Sequence, residues 1–167
     1  DIEWRAYMQG IFADTLQLVH LGRGDSKPLG AFIPLTKVGL ITACLAALLQ
    51  RSILGGVKVD GDLKRLSEVY PMAGLHHHDA DAMPSTIPSD HIVDLAALAA
   101  NVLRLAPGSV RSLANVLAHC CPGRSLNKQL VDVKKVRWEE WPLKDAEAIN
   151  YGMNDAYASA LALRRLH

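Results

Sequence analysis

Residues 53–70 have the sequence ILGGVKVDGDLKRLSEVY. The apolar run at residues 53–59 is typical of a buried strand, and the residues after it place Leu63, Leu66 and Val69 on one face of a short helix. A strand that leads through a tight turn into a helix is the recurring unit of α/β proteins. This stretch therefore predicts an α/β fold.

The segments on either side of residues 53–70 extend this prediction. Before it, residues 14–21 alternate polar and apolar side chains, and residues 29–35 are predicted to return as the second strand of a hairpin. We predict helices at residues 36–48, 92–105, 110–120 and 145–166, with Ser109 as an N-cap residue. Residues 91–93 are also strand-like, and Asp94 after them is a candidate N-cap. Because strands come early and helices late, we expect a mixed sheet flanked by helices.

The composition is that of a packed protein. Of the 167 residues, 50% are hydrophobic and 21% are charged, which excludes a disordered tail. The longest apolar stretch, residues 38–49, is too short to cross a bilayer, so we expect no membrane partner. Eighteen basic and seventeen acidic residues give a net charge of +1. That balance argues against binding to nucleic acid by bulk charge alone, but it allows a local basic strip.

The cysteines and the first residues bear on the context of the chain. Cys44, Cys120 and Cys121 form no C-x-x-C pair, which argues against a disulfide framework or a zinc ribbon and favours a reducing compartment. The chain opens on D-I-E-W without a methionine or a signal peptide. We expect residues 1–167 to form a single domain cut from a longer polypeptide, whose other domains are potential partners.

Acidic residues occur at three places where the predicted elements give them a defined direction. Asp1 and Glu3 are two apart on a strand, so both carboxylates project from the same face. Asp62 follows the apolar strand at the start of a helix, where α/β folds commonly place functional groups. Tyr151 and Asp155 are four apart in the last helix and therefore share one face.

Four carboxylates that converge on one point would raise one another's pKa values unless cations neutralised them. Hard divalent ions with oxygen ligands, Mg²⁺ or Mn²⁺, suit such a site. Two such ions about 3.5–4 Å apart stabilise the attacking and leaving oxygens of phosphodiester hydrolysis. Tyr151 would then orient or deprotonate the attacking water. Taken singly, each carboxylate is more typical of a solvated or helix-capping group, so spacing alone does not favour a metal site.

Three short motifs occur in order along the chain: D-I-E-W at residues 1–4, G-D-L-K-R-L at residues 61–66 and Y-G-M-N-D-A-Y at residues 151–157. Together they resemble the DEDDy class of 3′–5′ exonucleases. Within that class the chain looks most like the Werner-syndrome-type exonuclease domain and its ribonuclease D relatives. Further similarity lies between the motifs, at residues 112–117, at Lys128 and at residues 138–143.

The resemblance implies a ribonuclease H-like α/β fold with a mixed five-stranded sheet flanked by helices, whose central strand carries Asp1 and Glu3. It implies that Asp1, Glu3 and Asp155 hold two divalent cations, Mg²⁺ or Mn²⁺. It also implies that Asp62 supports the second ion and that Tyr151 positions the water. The expected reaction is hydrolysis at the 3′ end of DNA or RNA with release of 5′-nucleoside monophosphates. The expected location is intracellular, and nuclear in preference to cytoplasmic.

Five aromatic and basic residues are candidate contacts to a nucleic acid whose 3′ end is single-stranded or recessed: Trp4, Lys134, Lys135, Arg137 and Trp138. The basic residues can follow a phosphate backbone, and Trp138 can stack on a base. A surface strand with a packed tryptophan explains the same residues nearly as well. If four carboxylates bind metal ions, the rest of the surface is more basic than the net charge indicates.

The chain departs from the family pattern at two places in the last helix, and it leaves alternatives open. Ala148 stands where the family usually has glutamine, and Gly152 stands where alanine is common. Asp60 competes with Asp62 for the second motif, and the register of residues 64–66 favours Asp62. The alternative function is a catalytically inactive, nuclease-derived module that binds nucleic acid or protein. A third reading is a proofreading domain attached to a polymerase.

Overall fold

The computed structural model describes residues 2–7, 10–20, 29–35, 43–63, 88–106, 108–126, 131–132, 135–138, 140 and 142–167. This part of the chain is mixed α/β. Its elements in chain order are β1 (Ile2–Tyr7), β2 (Gly10–His20), β3 (Leu29–Pro34), α1 (Ala43–Arg51), β4 (Leu54–Gly56), β5 (Ile92–Asp94), α2 (Leu95–Val102), α3 (Leu113–Cys120) and α4 (Ala146–Leu166). In addition, residues 59–63 are helical, and Ser89–His91 form a single 3₁₀ turn.

Strands β1, β2 and β3 form an antiparallel sheet in that order. The predicted hairpin is confirmed, because β2 and β3 pair from His20 with Leu29 to Thr15 with Pro34. Strand β2 begins at Gly10, earlier than the alternating pattern predicted, because its first half pairs with β1. The pairing of β1 and β2 is irregular between Glu3 and Trp4.

Strands β4 and β5 form a separate parallel pair, in which Leu54 lies opposite Ile92 and Gly56 lies opposite Asp94. The predicted strand over residues 53–59 is therefore too long, since the chain turns at Lys58, whose φ is 62°. The helix predicted from Ile92 begins three residues later, at Leu95. The strand-like character of Ile92 and Val93 is confirmed, because residues 92–94 pair with β4.

The two sheets are joined by helix α4, which contacts β2 and β3 of one sheet and β4 of the other. Strand β1 lies at the edge of the three-stranded sheet, and β4 is one of the two strands of the parallel pair. Pairing of β1 with β4 would give a five-stranded sheet with β1 at its centre. That sheet stays a prediction, because the described strands form the two separate sheets.

The main hydrophobic core lies where α2, α3 and α4 pack together. Its buried residues are Leu95, Ala99, Val110, Val116, Ala162 and Leu166. Strand β4 approaches α4 closely at Gly55, where a Cβ atom would lie 3.1 Å from Leu163 Cδ2. The absence of a side chain at Gly55 therefore sets the distance between the parallel strands and α4.

Helix α4 has the bounds that its sequence predicts. The Oδ1 atom of Asp145 accepts hydrogen bonds from the backbone N–H groups of Glu147 at 2.9 Å and Ala148 at 3.1 Å, which caps the helix. Arg164 and Arg165 lie in its last turn, where cations interact favourably with the helix dipole. Among the helices of the described residues, α4 included, none combines the length and the apolar character needed to span a membrane.

N-cap residues were predicted for two other helices, Asp94 for α2 and Ser109 for α3. Asp94 caps α2, as predicted, with Oδ1 accepting from the N–H groups of Ala96 and Ala97. Ser109 does not cap α3: that helix begins three residues later than predicted, and the Oγ of Ser112 accepts from Asn115 N at 3.2 Å. Helix α1 begins at Ala43, and residues 36–42 of its predicted range lie outside the described residues.

Cys120 and Cys121 lie at the C-terminal end of α3, as the sequence predicts. Both are free thiols, and their Sγ atoms are 3.7 Å apart. Burial, followed by the hydrogen bond to the neighbouring Cys121 thiol, raises the pKa of Cys120 to about 11. Both effects favour the protonated thiol, so Cys120 belongs to the packed end of the helix rather than to a reactive site.

Candidate functional site

A cavity of about 350 Å³ lies beside α4, and Tyr151 and Asp155 both line it. The opposite wall comes from Leu117 of α3 and from residues 124–126, which follow that helix. Tyr151 and Asp155 are separated by about 6 Å along the helix axis, because each residue advances the helix by about 1.5 Å. The sequence prediction that these two side chains share a face is confirmed.

The two side chains differ in their surroundings. Asp155 is buried, with a relative exposure of 6%. Tyr151 is half-buried and packs against a small hydrophobic cluster that includes Trp138, Val136 and Ala148. The cluster thus fixes the ring of Tyr151, while the helix fixes the position of Asp155 one turn further along the same wall.

The remaining polar residues of the cavity give it a mixed charge. Glu147 adds a second carboxylate, and Asn150 and Asn154 add two amide groups on the exposed side of α4. Arg124 supplies a guanidinium from the turn after α3, where its backbone N–H donates to the carbonyl of Cys121 at 3.0 Å. The cavity thus offers two amide groups, two carboxylates and one guanidinium to a ligand.

Sequence reasoning missed Arg124, and no signal in the sequence would have found it. It stands in the segment C-C-P-G-R-S-L, in which Gly123 has a φ of 83° and turns the chain after α3. Only this turn brings the segment against α4. The sequence shows a solvated arginine after a helix, which occurs in many proteins without any function.

The basic strip that was predicted to bind nucleic acid is partly committed to contacts within the protein. Trp138 is 1% exposed and stacks on Phe32, with 6.3 Å between ring centroids. Lys135 forms an exposed ion pair with Asp132 at 3.3 Å, and Arg137 pairs with Glu140 in the same i,i+3 arrangement at 2.7 Å. The structure thus favours the packed-tryptophan alternative over base stacking by Trp138.

The side chains of the two other candidate contacts to nucleic acid lie outside the described part of the chain. Lys134 lies outside the described residues. Trp4 is part of β1, where its backbone lies opposite Ala13, and its side chain is outside the description. Their roles as nucleic-acid contacts stay predictions.

The four predicted metal-binding carboxylates are only partly described. Asp1 lies outside the described residues, and Glu3 is described by its backbone alone, opposite Thr15 in β1. Asp62 is half-buried in the helical residues 59–63 and does not line the cavity of Asp155. Within the described ranges, no group of three or more histidine, cysteine, aspartate or glutamate side chains is arranged to hold a metal ion. The four-carboxylate site therefore stays a prediction.

The choice between Asp60 and Asp62 also remains open. Both lie in the helical residues 59–63 that begin directly after the turn at Lys58, and Asp60 is exposed whereas Asp62 is half-buried. A single segment thus presents both candidate carboxylates at the carboxyl end of β4. The position of residues 59–63 relative to β5 and α2 therefore decides where the carboxylates of Asp60 and Asp62 lie.

Comparison of the chain with protein-family models, with curated proteins and with solved structures finds no match. The features of the chain that bear on function are thus the three motifs and the geometry of the cavity. Of the motif residues, Tyr151 and Asp155 are the pair that this geometry brings together.

Proposed function

We propose that the chain is a metal-dependent 3′–5′ exonuclease of the DEDDy type, which hydrolyses the phosphodiester bond at the 3′ end of DNA or RNA. The observation that carries this proposal is the cavity wall on α4, where Tyr151 and the buried Asp155 lie one turn apart. The same Y-x-x-x-D spacing forms the third motif of the family that the sequence resembles.

Mg²⁺ and Mn²⁺ fit the proposed donor set, because it consists of carboxylate oxygens, the ligands that such hard cations prefer. We assign Asp1, Glu3 and Asp155 to hold two cations, and Asp62 to support the second. When bound, the two cations stabilise the attacking and leaving oxygens of the displacement. Residues 1–3 and α4 would thus supply three of the carboxylates, and the residues after β4 would supply the fourth.

Tyr151 is proposed to orient the attacking water. A phenol hydroxyl both donates and accepts hydrogen bonds, so it can hold a water molecule in one orientation. Its ring packs against Val136, Trp138 and Ala148, which limits the directions that the hydroxyl can take. Groups held by packing keep the narrow geometry that catalysis requires.

Arg124 is proposed to contact a phosphate of the substrate strand. Its guanidinium lines the same cavity as Tyr151 and Asp155, and guanidinium groups bind phosphate oxygens in a two-pronged geometry. Such contacts position a strand without reading its sequence. The cavity therefore suits the strand close to its reacting end, in keeping with an enzyme that removes nucleotides irrespective of the base.

Replacing Arg124 with glutamine is expected to raise KM for an oligonucleotide about tenfold and to leave kcat nearly unchanged, because one phosphate contact is lost. Arg165→Gln is the matched control, since it removes the same charge from an exposed position that does not line the cavity. Steady-state rates at several salt concentrations measure both variants. An equal rise of KM in the two variants would show that only the overall charge matters.

The proposal is tested with DNA and RNA oligonucleotides labelled at the 5′ end, single-stranded or recessed, with and without Mn²⁺. The expected result is a ladder that shortens one nucleotide at a time from the 3′ end and disappears when the metal is chelated. A blocked 3′ end should prevent it. Binding without shortening would instead identify a nucleic-acid interaction module, and the absence of both would overturn the proposal.

A further inference from the structure

The turn between β4 and the helical residues 59–63 has a strained backbone. Lys58 has a φ of 62°, a conformation that glycine adopts easily and that residues with a Cβ atom rarely adopt. The carbonyl of Lys58 accepts a hydrogen bond from Gly61 N at 3.0 Å, which closes the turn. A non-glycine residue persists in this conformation only where the surrounding structure holds it.

Asp94 supplies that restraint from outside the turn. The last residue of β4, Gly56, lies opposite Asp94 in the parallel pair, so the carboxylate is next to the place where the turn begins. Its Oδ2 accepts a hydrogen bond from Lys58 N at 3.1 Å. Its Oδ1 at the same time accepts from Ala96 N at 2.8 Å and from Ala97 N at 3.0 Å.

The two oxygens of Asp94 thus connect the start of α2 with the turn at Lys58. One oxygen caps α2, and the other holds the turn that leads from β4 into residues 59–63. A residue with a single acceptor oxygen can cap the helix, but it cannot make both contacts. Helix capping alone therefore does not explain why residue 94 is an aspartate.

We infer that Asp94 is a positioning residue, which holds the Lys58 turn so that the carboxylate after β4, Asp62, is fixed where a divalent cation binds. This inference rests on the proposed exonuclease function. It holds equally if Asp60 is the metal-supporting carboxylate, because both residues follow the same turn. Asp94 itself acts through the backbone of Lys58 and needs no contact with the cation or the substrate.

The test compares Asp94→Ser with Asp145→Ser. Serine and aspartate are equally good N-cap residues, so each variant keeps its helix cap and loses one negative charge. Asp94→Ser also loses the bond to Lys58 N, whereas Asp145 uses Oδ1 to cap α4 and, among the described contacts, bonds no other element. Asp94→Asn, which is nearly isosteric, replaces Asp94→Ser if that variant does not fold.

Three measurements are made on the full chain: amide hydrogen exchange of residues 57–63, Mn²⁺ binding by calorimetric titration, and the rate of nucleotide release at low and at saturating Mn²⁺. In Asp94→Ser we expect faster exchange over these residues and Mn²⁺ affinity about tenfold weaker, the usual effect of losing a group that orients a metal ligand. Asp145→Ser should change neither. The rate at saturating Mn²⁺ should fall much less than the rate at low Mn²⁺.

The outcomes separate the two proposals. Unchanged exchange at residues 57–63 in Asp94→Ser overturns the inference, as does faster exchange with unchanged Mn²⁺ affinity. Equal effects of the two serine variants on Mn²⁺ affinity also overturn it, because a lost charge then explains the result. A wild-type chain that neither binds Mn²⁺ nor shortens oligonucleotides overturns the proposed function, and the inference with it.

Discussion

Replacing Asp155 with asparagine is expected to lower the rate of nucleotide release about 10³-fold or more. The change keeps the size of the buried side chain but removes the charge, so it removes one proposed ligand of the cations. Those cations contribute several kcal/mol to transition-state stabilisation, and each 1.4 kcal/mol corresponds to about a tenfold change in rate. Release from a labelled oligonucleotide at saturating Mn²⁺ measures the effect.

Asp132→Asn is the matched control for Asp155→Asn. It makes the same chemical change at a side chain that is 54% exposed and is paired with Lys135. It should leave the rate within about twofold, as surface substitutions away from a site do. Circular dichroism and thermal unfolding should show both variants folded. Release at the wild-type rate by folded Asp155→Asn would remove this residue from the chemistry and the Y-x-x-x-D motif from the argument.

Replacing Trp138 with alanine is expected to lower the free energy of unfolding by about 3–5 kcal/mol, the range measured for large aromatic residues removed from cores. Trp138 is 1% exposed and is among the largest fully buried side chains of the described residues. It stacks on Phe32 of β3 and packs in the cluster that supports Tyr151. The variant therefore loses packing between the three-stranded sheet and the residues before α4.

Denaturant unfolding measures this loss as a shift of the midpoint with an unchanged slope. The control is Val102→Ala, at a side chain that is 49% exposed, where we expect a change of no more than about 0.5 kcal/mol. If Trp138 instead stacks on a base, the alanine variant should keep its stability and lose oligonucleotide affinity. That result would support base stacking by Trp138, the interpretation that the burial of its side chain argues against.

The sequence predicted best those elements whose signals are local. Helix α4 combines a long apolar periodicity with a capping aspartate at Asp145, and both signals lie within the helix itself. The hairpin of β2 and β3 joins alternating strands through turn residues. The N-cap of α3 was predicted at Ser109, whereas the structure places it at Ser112. The choice depends on how α3 packs against its neighbours.

Elements that depend on distant partners could not be predicted in the same way. Residues 92–94 are extended because they pair with β4. In the sequence, the strand-like residues 91–93 competed with a helical pattern over residues 92–105, and the pairing partner decides between the two. For the candidate site, the spacing of Tyr151 and Asp155 was sufficient to place them on one face. The opposite wall, with Arg124, is brought there by the turn after α3, and a single sequence carries no record of that contact.

The position of α4 has a consequence for how the protein is made. Its contacts with β2 and β3 connect residues near position 20 with residues 146–166, which leave the ribosome much later. During synthesis, β2 and β3 are made before α4, so the face of the sheet that packs on this helix is not covered by it until residues 146–166 have been synthesised. Contacts so distant in sequence slow folding and expose apolar surface to aggregation. Expression of this domain should therefore depend on chaperones that shield nascent strands until the C-terminal helix has emerged.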